Sequence, residues 1–139
     1  MEILGLMEQI RLVIIDQHKG VRNALRVRLR SAPNLAIVGT VDTDEAKRLA
    51  QTDLQPDVAL LGLSGQNDEL AYMVALVKQL VAKGTAVLAL TSYIDDMARE
   101  LVLQAGASEY RLKNINTPEL LAEIELLAED RRKHQIDNL

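Results

Sequence analysis

The chain has 139 residues, of which 48% are hydrophobic and 26% charged, the size and balance of one globular domain. Lys and Arg number 16 against 20 for Asp and Glu, and the net charge of −4 argues against direct binding to nucleic-acid phosphates. Cysteine is absent, which excludes disulfides, thiolate nucleophiles and cysteine metal sites. The start, MEILGLMEQI, lacks the basic region of a signal peptide, and no segment has the length of a membrane span. We therefore expect a cytoplasmic protein without membrane contact.

Ten predicted elements alternate between short apolar strands and amphipathic helices. The strands, in chain order, are Arg11–Asp16, Leu35–Val41, Asp57–Leu61, Ala86–Thr91 and Glu109–Leu112. The helices that follow them are Gly20–Ser31, Thr43–Thr52, Asp68–Lys83, Ile94–Ala105 and Pro118–Arg132. Three strands are continuous runs of aliphatic residues, which is typical of parallel strands covered by helices on both faces. The alternation predicts an α/β fold with a doubly wound, five-stranded parallel sheet.

Capping signals support the helix boundaries. Asp42 and Glu45 have capping-box spacing, and Thr117–Pro118 is typical of an N-cap followed by proline in the first turn. Gly84 and Gly106 follow the third and fourth helices, where a left-handed residue often ends a helix. The fourth helix carries one apolar stripe of the kind that packs on a core, formed by Ile94, Met97, Ala98, Leu101, Val102 and Ala105.

The domain is predicted to span residues 11–132, after an N-terminal extension of residues 1–10 and before a polar tail of residues 133–139, where we expect fraying from His134. In an open parallel α/β sheet, ligands bind beyond the carboxyl ends of the strands. Asp16 and Gln17 follow the first strand, Gly62 the third and Lys113 the fifth, while Thr91 ends the fourth. One carboxylate, one hydroxyl and one ammonium group are therefore expected at one edge of the sheet.

The neighbours of these residues resemble the receiver domain of bacterial two-component response regulators, from about Ile10 to Arg132. The segments that carry the resemblance include VIIDQH at 13–18, PDVALL at 56–61, LALTS at 88–92 and AGASEYRLK at 105–113. The last is the most specific, because its Gly-Ala, aromatic and lysine positions keep the family spacing. The resemblance implies a CheY-like, flavodoxin-like sheet with strand order 2-1-3-4-5.

The resemblance also implies roles for four residues. Asp16 matches the first of two acids that hold Mg²⁺, while Thr91 and Lys113 match the hydroxyl and the lysine that bind the phosphoryl group. Tyr110 occupies the aromatic position that, together with Thr91, acts as a switch in the family.

Two departures from the family pattern remove the expected chemistry. Gln17 replaces the second acid, and Gly62 replaces the aspartate that accepts the phosphoryl group. Three carboxylates and a lysine would leave a charge of about −2, whereas Asp16 and Lys113 leave about zero. We therefore expect no catalytic residue, weak or absent Mg²⁺ binding, with Asp16 at most a weak ligand, and a relic anion pocket formed by Asp16, Gln17, Gly62, Thr91 and Lys113.

Several alternatives remain open at this pocket. Asp16 and Lys113 are expected to pair with each other if no anion binds there. Thr91 then satisfies a nearby backbone group instead of a ligand. Ser64 and Asp68 are conceivable substitute acceptors, although both lie in the loop after the third strand.

Charged and apolar residues outside the pocket suggest an interface. Arg22, Arg26 and Arg30 form one stripe on the first helix, which is either a solvated face or a docking surface for an acidic partner. Arg28 lies among apolar positions and is expected to reach the rim of the core, the last helix or another subunit. Leu103 and Leu126 point away from the predicted core faces of their helices.

These observations predict an atypical receiver that acts in signal transduction through protein contacts rather than phosphorylation. Its partner would be another protein or an output domain, with a homodimer as a further option, and no enzymatic activity, cofactor, small-molecule substrate or nucleic acid is expected. One alternative is the receiver portion of a helix-turn-helix transcription regulator whose DNA-binding domain is absent from this chain. Another is a flavodoxin-like cofactor binder, against which the lack of Phe, Trp and a phosphate-binding glycine loop argues.

Overall fold

The predicted five-stranded parallel sheet is present. A computed structural model of the protein describes residues 9–64 and 67–137, without the side chains of residues 67, 68 and 135–137. The strands are β1 (Ile10–Ile15), β2 (Leu35–Val41), β3 (Val58–Gly62), β4 (Ala86–Thr91) and β5 (Glu109–Leu112). They lie parallel in the order β2-β1-β3-β4-β5, which confirms the predicted fold class and strand order.

Four helices connect the strands, a fifth follows β5, and together they cover both faces of the sheet. They are α1 (Lys19–Leu29), α2 (Thr43–Leu49), α3 (Asn67–Ala82), α4 (Asp96–Gln104) and α5 (Thr117–Asp137). The prediction that the chain frays from His134 is wrong as far as residue 137, because α5 continues to Asp137. Residues 1–8 of the predicted N-terminal extension and the last two residues of the tail lie outside the described part of the chain. No helix within that part is long and apolar enough to cross a membrane.

The core consists of two aliphatic layers, one on each face of the sheet. Alternate residues of β1 enter different layers: Val13 and Ile15 pack in the layer that contains α3 and α4. Leu12 and Ile14 pack in the layer that contains α1 and α5. All four side chains are fully buried, and each contributes about 2 kcal/mol relative to an exposed position. This double burial explains why the strand sequences are continuous apolar runs.

The helix caps follow the sequence signals with one exception. Asp42 accepts a hydrogen bond from Glu45 N at 2.8 Å, and Glu45 Oε1 accepts one from Asp42 N at 3.1 Å, so the capping box is confirmed. The predicted cap of α5 at Thr117 is wrong by one residue, because Asn116 Oδ1 accepts from Glu119 N at 2.9 Å. The Thr117 hydroxyl instead accepts a hydrogen bond from Arg28 Nε at 3.0 Å.

Both predicted glycine helix ends are confirmed. Gly84 has a φ of 87° and Gly106 has a φ of 117°, in the region of backbone conformation that residues other than glycine rarely adopt. At Gly106 an added Cβ would also approach Val81 to 3.1 Å. The two glycines therefore end α3 and α4 and turn the chain into β4 and β5.

The predicted core stripe of α4 is wrong for three of its six members. Val102 is fully buried, but Met97 is 71% exposed, Ile94 50% and Leu101 37%. The helix begins only at Asp96, and the strand beside it, β5, is four residues long, so little of the sheet lies under its first turns. Leu103, predicted to point outward, packs partly buried against the core. The buried face of α4 is therefore centred on Val102 and Leu103.

Candidate functional site

Asp16, Gly62 and Lys113 come together at the carboxyl edge of the sheet. Asp16 directly follows β1, Gly62 ends β3, and these two strands are neighbours. Lys113 follows β5, and its backbone N–H donates to Thr91 O at 2.7 Å, which holds it beside the end of β4. The Lys113 Nζ lies 2.9 Å from Asp16 Oδ2. The residues that the sequence places at one edge thus form one contact group.

The carboxylate of Asp16 is almost fully buried, with 1% exposure. Its Oδ1 accepts a hydrogen bond from His18 N at 2.8 Å and lies 3.3 Å from His18 Nδ1. Its Oδ2 has no donor in hydrogen-bond geometry among the described residues, and its partner is the charge of Lys113 at 2.9 Å. The Asp16–Lys113 ion pair that the sequence left as an alternative to anion binding is present in the structure.

Gly62 is distinguished by the space beside it rather than by its backbone conformation. Its φ is not in the left-handed region, so the backbone there suits any residue. A Cβ built on Gly62 would lie 1.7 Å from Asp16 Oδ2 and 2.6 Å from Asp16 Cγ, distances that no pair of atoms tolerates. The Asp16 carboxylate therefore occupies the volume into which a side chain at position 62 would project.

The charges of this group cancel and do not fit a divalent cation. Mg²⁺ prefers several oxygen ligands, most often with one or two carboxylates, in octahedral geometry. Asp16 is engaged by Lys113, and Gln17 is neutral and exposed. Among the residues described, no three His, Asp or Glu side chains come close enough to hold a metal ion. The sequence expectation of weak or absent Mg²⁺ binding stays a prediction.

Thr91 and Tyr110 both hold the loop between β4 and α4. The Thr91 hydroxyl donates to Tyr93 O at 2.9 Å, the backbone contact that the sequence left as an alternative to ligand binding. The Tyr110 ring is buried, with 3% exposure, and its hydroxyl accepts from Asp95 N at 3.0 Å. Asp95 in turn caps α4 by accepting from Ala98 N. The two predicted switch residues therefore connect the edge of the sheet to the start of α4.

Ser64 and Asp68, the two conceivable substitute phosphoryl acceptors, follow β3, and the structure describes the side chain of Ser64. The Ser64 hydroxyl donates to the Glu69 carboxylate at the start of α3. The side chain of Asp68 lies outside the described residues. Phosphorylation of either residue stays an untested alternative to the predicted absence of phosphorylation.

The arginines of α1 do not form one uniform stripe. Arg22 donates to Asp16 O at 2.7 Å and to Gln17 O at 3.4 Å, so it closes the loop after β1 instead of pointing toward a partner. Arg26 and Arg30 are exposed and, within the described chain, make no side-chain hydrogen bond or ion pair. Both sequence alternatives, a solvated face and a docking surface, therefore apply to Arg26 and Arg30 and not to Arg22.

Arg28 reaches the last helix, one of the three destinations that its position suggested. It donates to the Thr117 hydroxyl at 3.0 Å, to Lys113 O at 3.4 Å and to Ile115 O. These contacts fix the segment that carries Lys113 against α1. Arg28 consequently supports the position of the lysine that pairs with Asp16.

Sequence reasoning missed a second buried ion pair, at the amino edge of the sheet. Asp57, which precedes β3, accepts from Arg131 Nη1 at 2.7 Å and from Arg11 N at 2.8 Å. Arg131 also donates to Gly84 O. In the sequence Arg131 sits in the charged run EDRRK, which looks solvated, so no signal pointed to this contact.

An exposed apolar surface at α4 and the loop before it was also missed, because three of its four members were predicted to be core. We call it the α4 face. It includes Tyr93 at 59% exposure and Met97 at 71%, and its four members are Tyr93, Ile94, Met97 and Leu101. Isolated exposed apolar side chains are common, but several that lie close in the sequence suggest an interaction surface. Leu126, predicted as exposed on α5, is 51% exposed.

No profile of a known protein family matches the chain. The chain is similar to the transcriptional regulatory protein LiaR of Bacillus subtilis, with 34% identity over 113 residues that cover 80% of this chain and 52% of LiaR. It therefore spans about half the length of that curated relative.

Solved structures resemble the chain over nearly their full length. The signal receiver domain of the putative response regulator NarL from Mycobacterium tuberculosis has a TM-score of 0.73 and 24% identity, covering 88% of this chain and 98% of that one. A CheY-like response regulator receiver domain protein from Methanospirillum hungatei has a TM-score of 0.76 and 18% identity, covering 91% and 98%. At these identities the likeness demonstrates the shared fold.

Proposed function

The chain is a receiver domain of the response-regulator, CheY-like type, and from this premise we propose that it signals through protein contacts without accepting a phosphoryl group. The observation that carries the proposal is the Asp16 carboxylate beside Gly62. The resemblance implies that, in the receiver family, the side chain of the acceptor aspartate occupies this volume. Here it is filled by a neighbouring side chain whose charge is already paired with Lys113.

Phosphoryl transfer to a protein needs a nucleophile and, in receivers, a divalent cation that neutralises the developing charge. Gly62 supplies no nucleophile. Asp16, the carboxylate nearest to that position, is buried against Lys113, and an incoming phosphoryl group would have to break this pair and expel Asp16 from its volume. The chemistry of the residues at this edge therefore supports a pocket that stays closed, and it supports a role without enzymatic activity.

A signal that does not pass through the pocket needs another surface, and the α4 face supports this part of the proposal. Four large apolar side chains lie exposed between Tyr93 and Leu101, in the loop that Thr91 and Tyr110 hold and on the helix that follows it. We infer that a partner protein or an output domain packs on this face. A second copy of the chain is the alternative occupant.

The test of the closed pocket is incubation with acetyl phosphate and Mg²⁺, followed by intact-mass measurement. The expected result is an unchanged mass. A stoichiometric gain of one phosphoryl group refutes the proposal, and peptide mapping then locates it at Asp16, Ser64 or Asp68. The variants Asp16→Asn and Ser64→Ala are the matched controls for the first two positions.

A second candidate function is favoured by the relatives whose printed names call them transcriptional regulatory proteins. LiaR is about twice as long as the matched region, which covers 52% of it. The chain would then be the receiver portion of a transcription regulator. The test is the reading frame beyond Leu139: a helix-turn-helix segment within it favours this candidate, and a stop codon directly after Leu139 rules it out.

A further inference from the structure

We propose that the groove between α1 and β2 binds an extended, acidic peptide segment of a partner protein. We call this surface the β2 groove; it is lined by Arg26 and Arg30 of α1 and by residues of β2 between Leu35 and Thr40. Its volume is about 410 Å³. It lies on the outer side of β2, away from the pocket that contains Gly62, so the proposal does not depend on the state of that pocket.

The backbone of β2 offers one free side. The strand is at the end of the sheet, and β1 is its one neighbour among the described residues. Leu35 is buried, while the other six residues of the strand are all partly accessible. The free N–H and C=O groups of an edge strand pair readily with an added extended peptide.

A bulge limits how long such a pairing can be. The register with β1 runs from Leu12↔Ile37 directly to Val13↔Gly39, which leaves Val38 without a partner on β1. A bulge bends its strand locally and increases the twist. The peptide is therefore expected to pair over the short segments on either side of Val38.

The charge of the groove selects an acidic ligand. Arg26 and Arg30 lie one helical turn apart and are exposed, and no side-chain hydrogen bond or ion pair engages either of them in the described residues. In contrast, Arg22 and Arg28 of the same helix donate to nearby backbone carbonyls. The lining of the groove contains no acidic residue, although the whole chain carries a net charge of −4. An arginine guanidinium binds a carboxylate through two parallel hydrogen bonds, so glutamates or aspartates at alternate positions of an extended peptide, which share one face, would engage both side chains.

The same features disfavour nucleic acid as the ligand. The groove has two cations and no aromatic side chain on which a base could stack. Stable binding to duplex DNA commonly uses about six to ten phosphate contacts. A free strand edge beside two neighbouring arginines fits a polypeptide instead, because a polypeptide supplies both backbone hydrogen-bonding groups and carboxylates.

The experiment titrates the full chain with an acetylated and amidated octapeptide in which glutamate alternates with valine and threonine. Binding is followed by NMR shifts and by amide hydrogen exchange. We expect saturable binding with Kd below about 1 mM and slower exchange for β2 amides. Arg26→Glu/Arg30→Glu should weaken binding by at least about tenfold. Arg26→Gln/Arg30→Gln should weaken binding in the same direction, and it replaces the first variant if the charge reversal impairs folding.

The matched control is Lys78→Glu/Arg99→Glu, which changes the net charge by the same amount on exposed positions of α3 and α4. It should retain the affinity of the unmodified chain. The proposal is overturned if both double variants lose affinity equally, since long-range charge alone would then explain binding. It is also overturned if no saturable binding occurs, if an octapeptide with proline at alternate positions binds equally well, or if an oligonucleotide of equal charge competes at equal concentration.

Discussion

Two buried aspartates lie at opposite ends of the sheet; Asp57 pairs with Arg131 and Arg132, and Asp16 pairs with Lys113. At the amino edge Asp57 contacts Arg131 at 2.7 Å, and at the carboxyl edge Asp16 contacts Lys113 at 2.9 Å. Both oxygens of Asp57 accept well-formed hydrogen bonds, whereas Asp16 Oδ2 has only the lysine charge. The amino edge is a structural contact that fastens α5 to the sheet. The carboxyl edge, where ligands of this fold bind, contains the same kind of contact.

The comparison separates the position of a residue from its use. The fold brings the ends of β1, β3 and β5 together whatever residues stand there. Here the Asp16 carboxylate occupies the volume beside Gly62 and pairs with Lys113. The residues at this edge therefore form a packing contact and an ion pair.

The largest effect on stability is expected at the carboxyl edge. Lys113→Met would leave the Asp16 carboxylate buried without a cation, and removal of one partner of a buried pair costs about 3 kcal/mol or more. The free energy of unfolding, measured in urea, should fall by that amount, and the double variant Asp16→Asn/Lys113→Met should recover most of it. An unchanged urea midpoint for Lys113→Met would contradict this prediction. It would mean that the Asp16–Lys113 pair does not stabilise the fold, although its distance is similar to that of the Asp57–Arg131 pair.

Asp57→Ala should have a somewhat smaller effect. It leaves the N–H of Arg11 without its acceptor, but Arg131 keeps its contact with Gly84 O. A lost hydrogen bond to a charged group costs about 2 kcal/mol. Urea unfolding measures the loss of free energy of unfolding. The hydrogen-exchange rates of protected backbone amides near Gly84 should increase. A cost larger than that of Lys113→Met would reverse the order of the two edges.

The carboxylate of Asp42 sharpens the comparison, because its contribution to the free energy of unfolding should be smaller than that of Asp16 or Asp57. The contribution should also be present only above a certain pH. The hydrogen bond from Glu45 N lowers the pKa of Asp42 below its ordinary value of 3.8. Since the folded pKa is depressed, this stabilisation is present above the unfolded pKa and is lost as the pH falls through the folded pKa. Asp42→Ala should therefore lower Tm at pH 7, and the difference should shrink below about pH 4. Asp42→Asn, which keeps a cap without a charge, is the control; a difference that grows on acidification would contradict the sign.

The smallest effect on folding is expected on the α4 face. Met97 is 71% exposed, so Met97→Asp should change the free energy of unfolding by less than about 0.5 kcal/mol. Its effect should appear in association instead: sedimentation velocity at high concentration should show loss of self-association if a second copy occupies this face. Val27→Asp, an exposed position on α1, is the matched control. Self-association that survives Met97→Asp would assign the contact to another surface.

The fold could be predicted because each of its elements has a local cause. Continuous aliphatic runs predicted the doubly covered strands, and Asp42, Gly84 and Gly106 marked helix ends through their own backbone requirements. The strand order came from the family resemblance. Local patterns could not reveal which side of α4 is covered, because amphipathic spacing does not say how much sheet lies beneath a helix.

The candidate site could be predicted only in its membership. Spacing placed Asp16, Gly62 and Lys113 at one edge, but the rotamer of Asp16 depends on the free volume above Gly62, which is a property of packing. The Asp57–Arg131 contact joins residues far apart in sequence, and neither residue has a local signal for burial. Unpaired arginines such as Arg26 could be distinguished from engaged ones such as Arg22 only after the loop carbonyls were located.

The occupancy of the Gly62 volume by Asp16 is tested most directly by a double-mutant cycle of Gly62→Ala and Asp16→Ala, measured by urea unfolding. In the unmodified chain Gly62→Ala must displace the Asp16 carboxylate from Lys113, and it should cost about 2 kcal/mol. In the Asp16→Ala background it should be nearly neutral, which gives a coupling energy of about 2 kcal/mol. An equal cost of Gly62→Ala in both backgrounds would show that the carboxylate does not fill this volume, and the closed pocket would have to be abandoned.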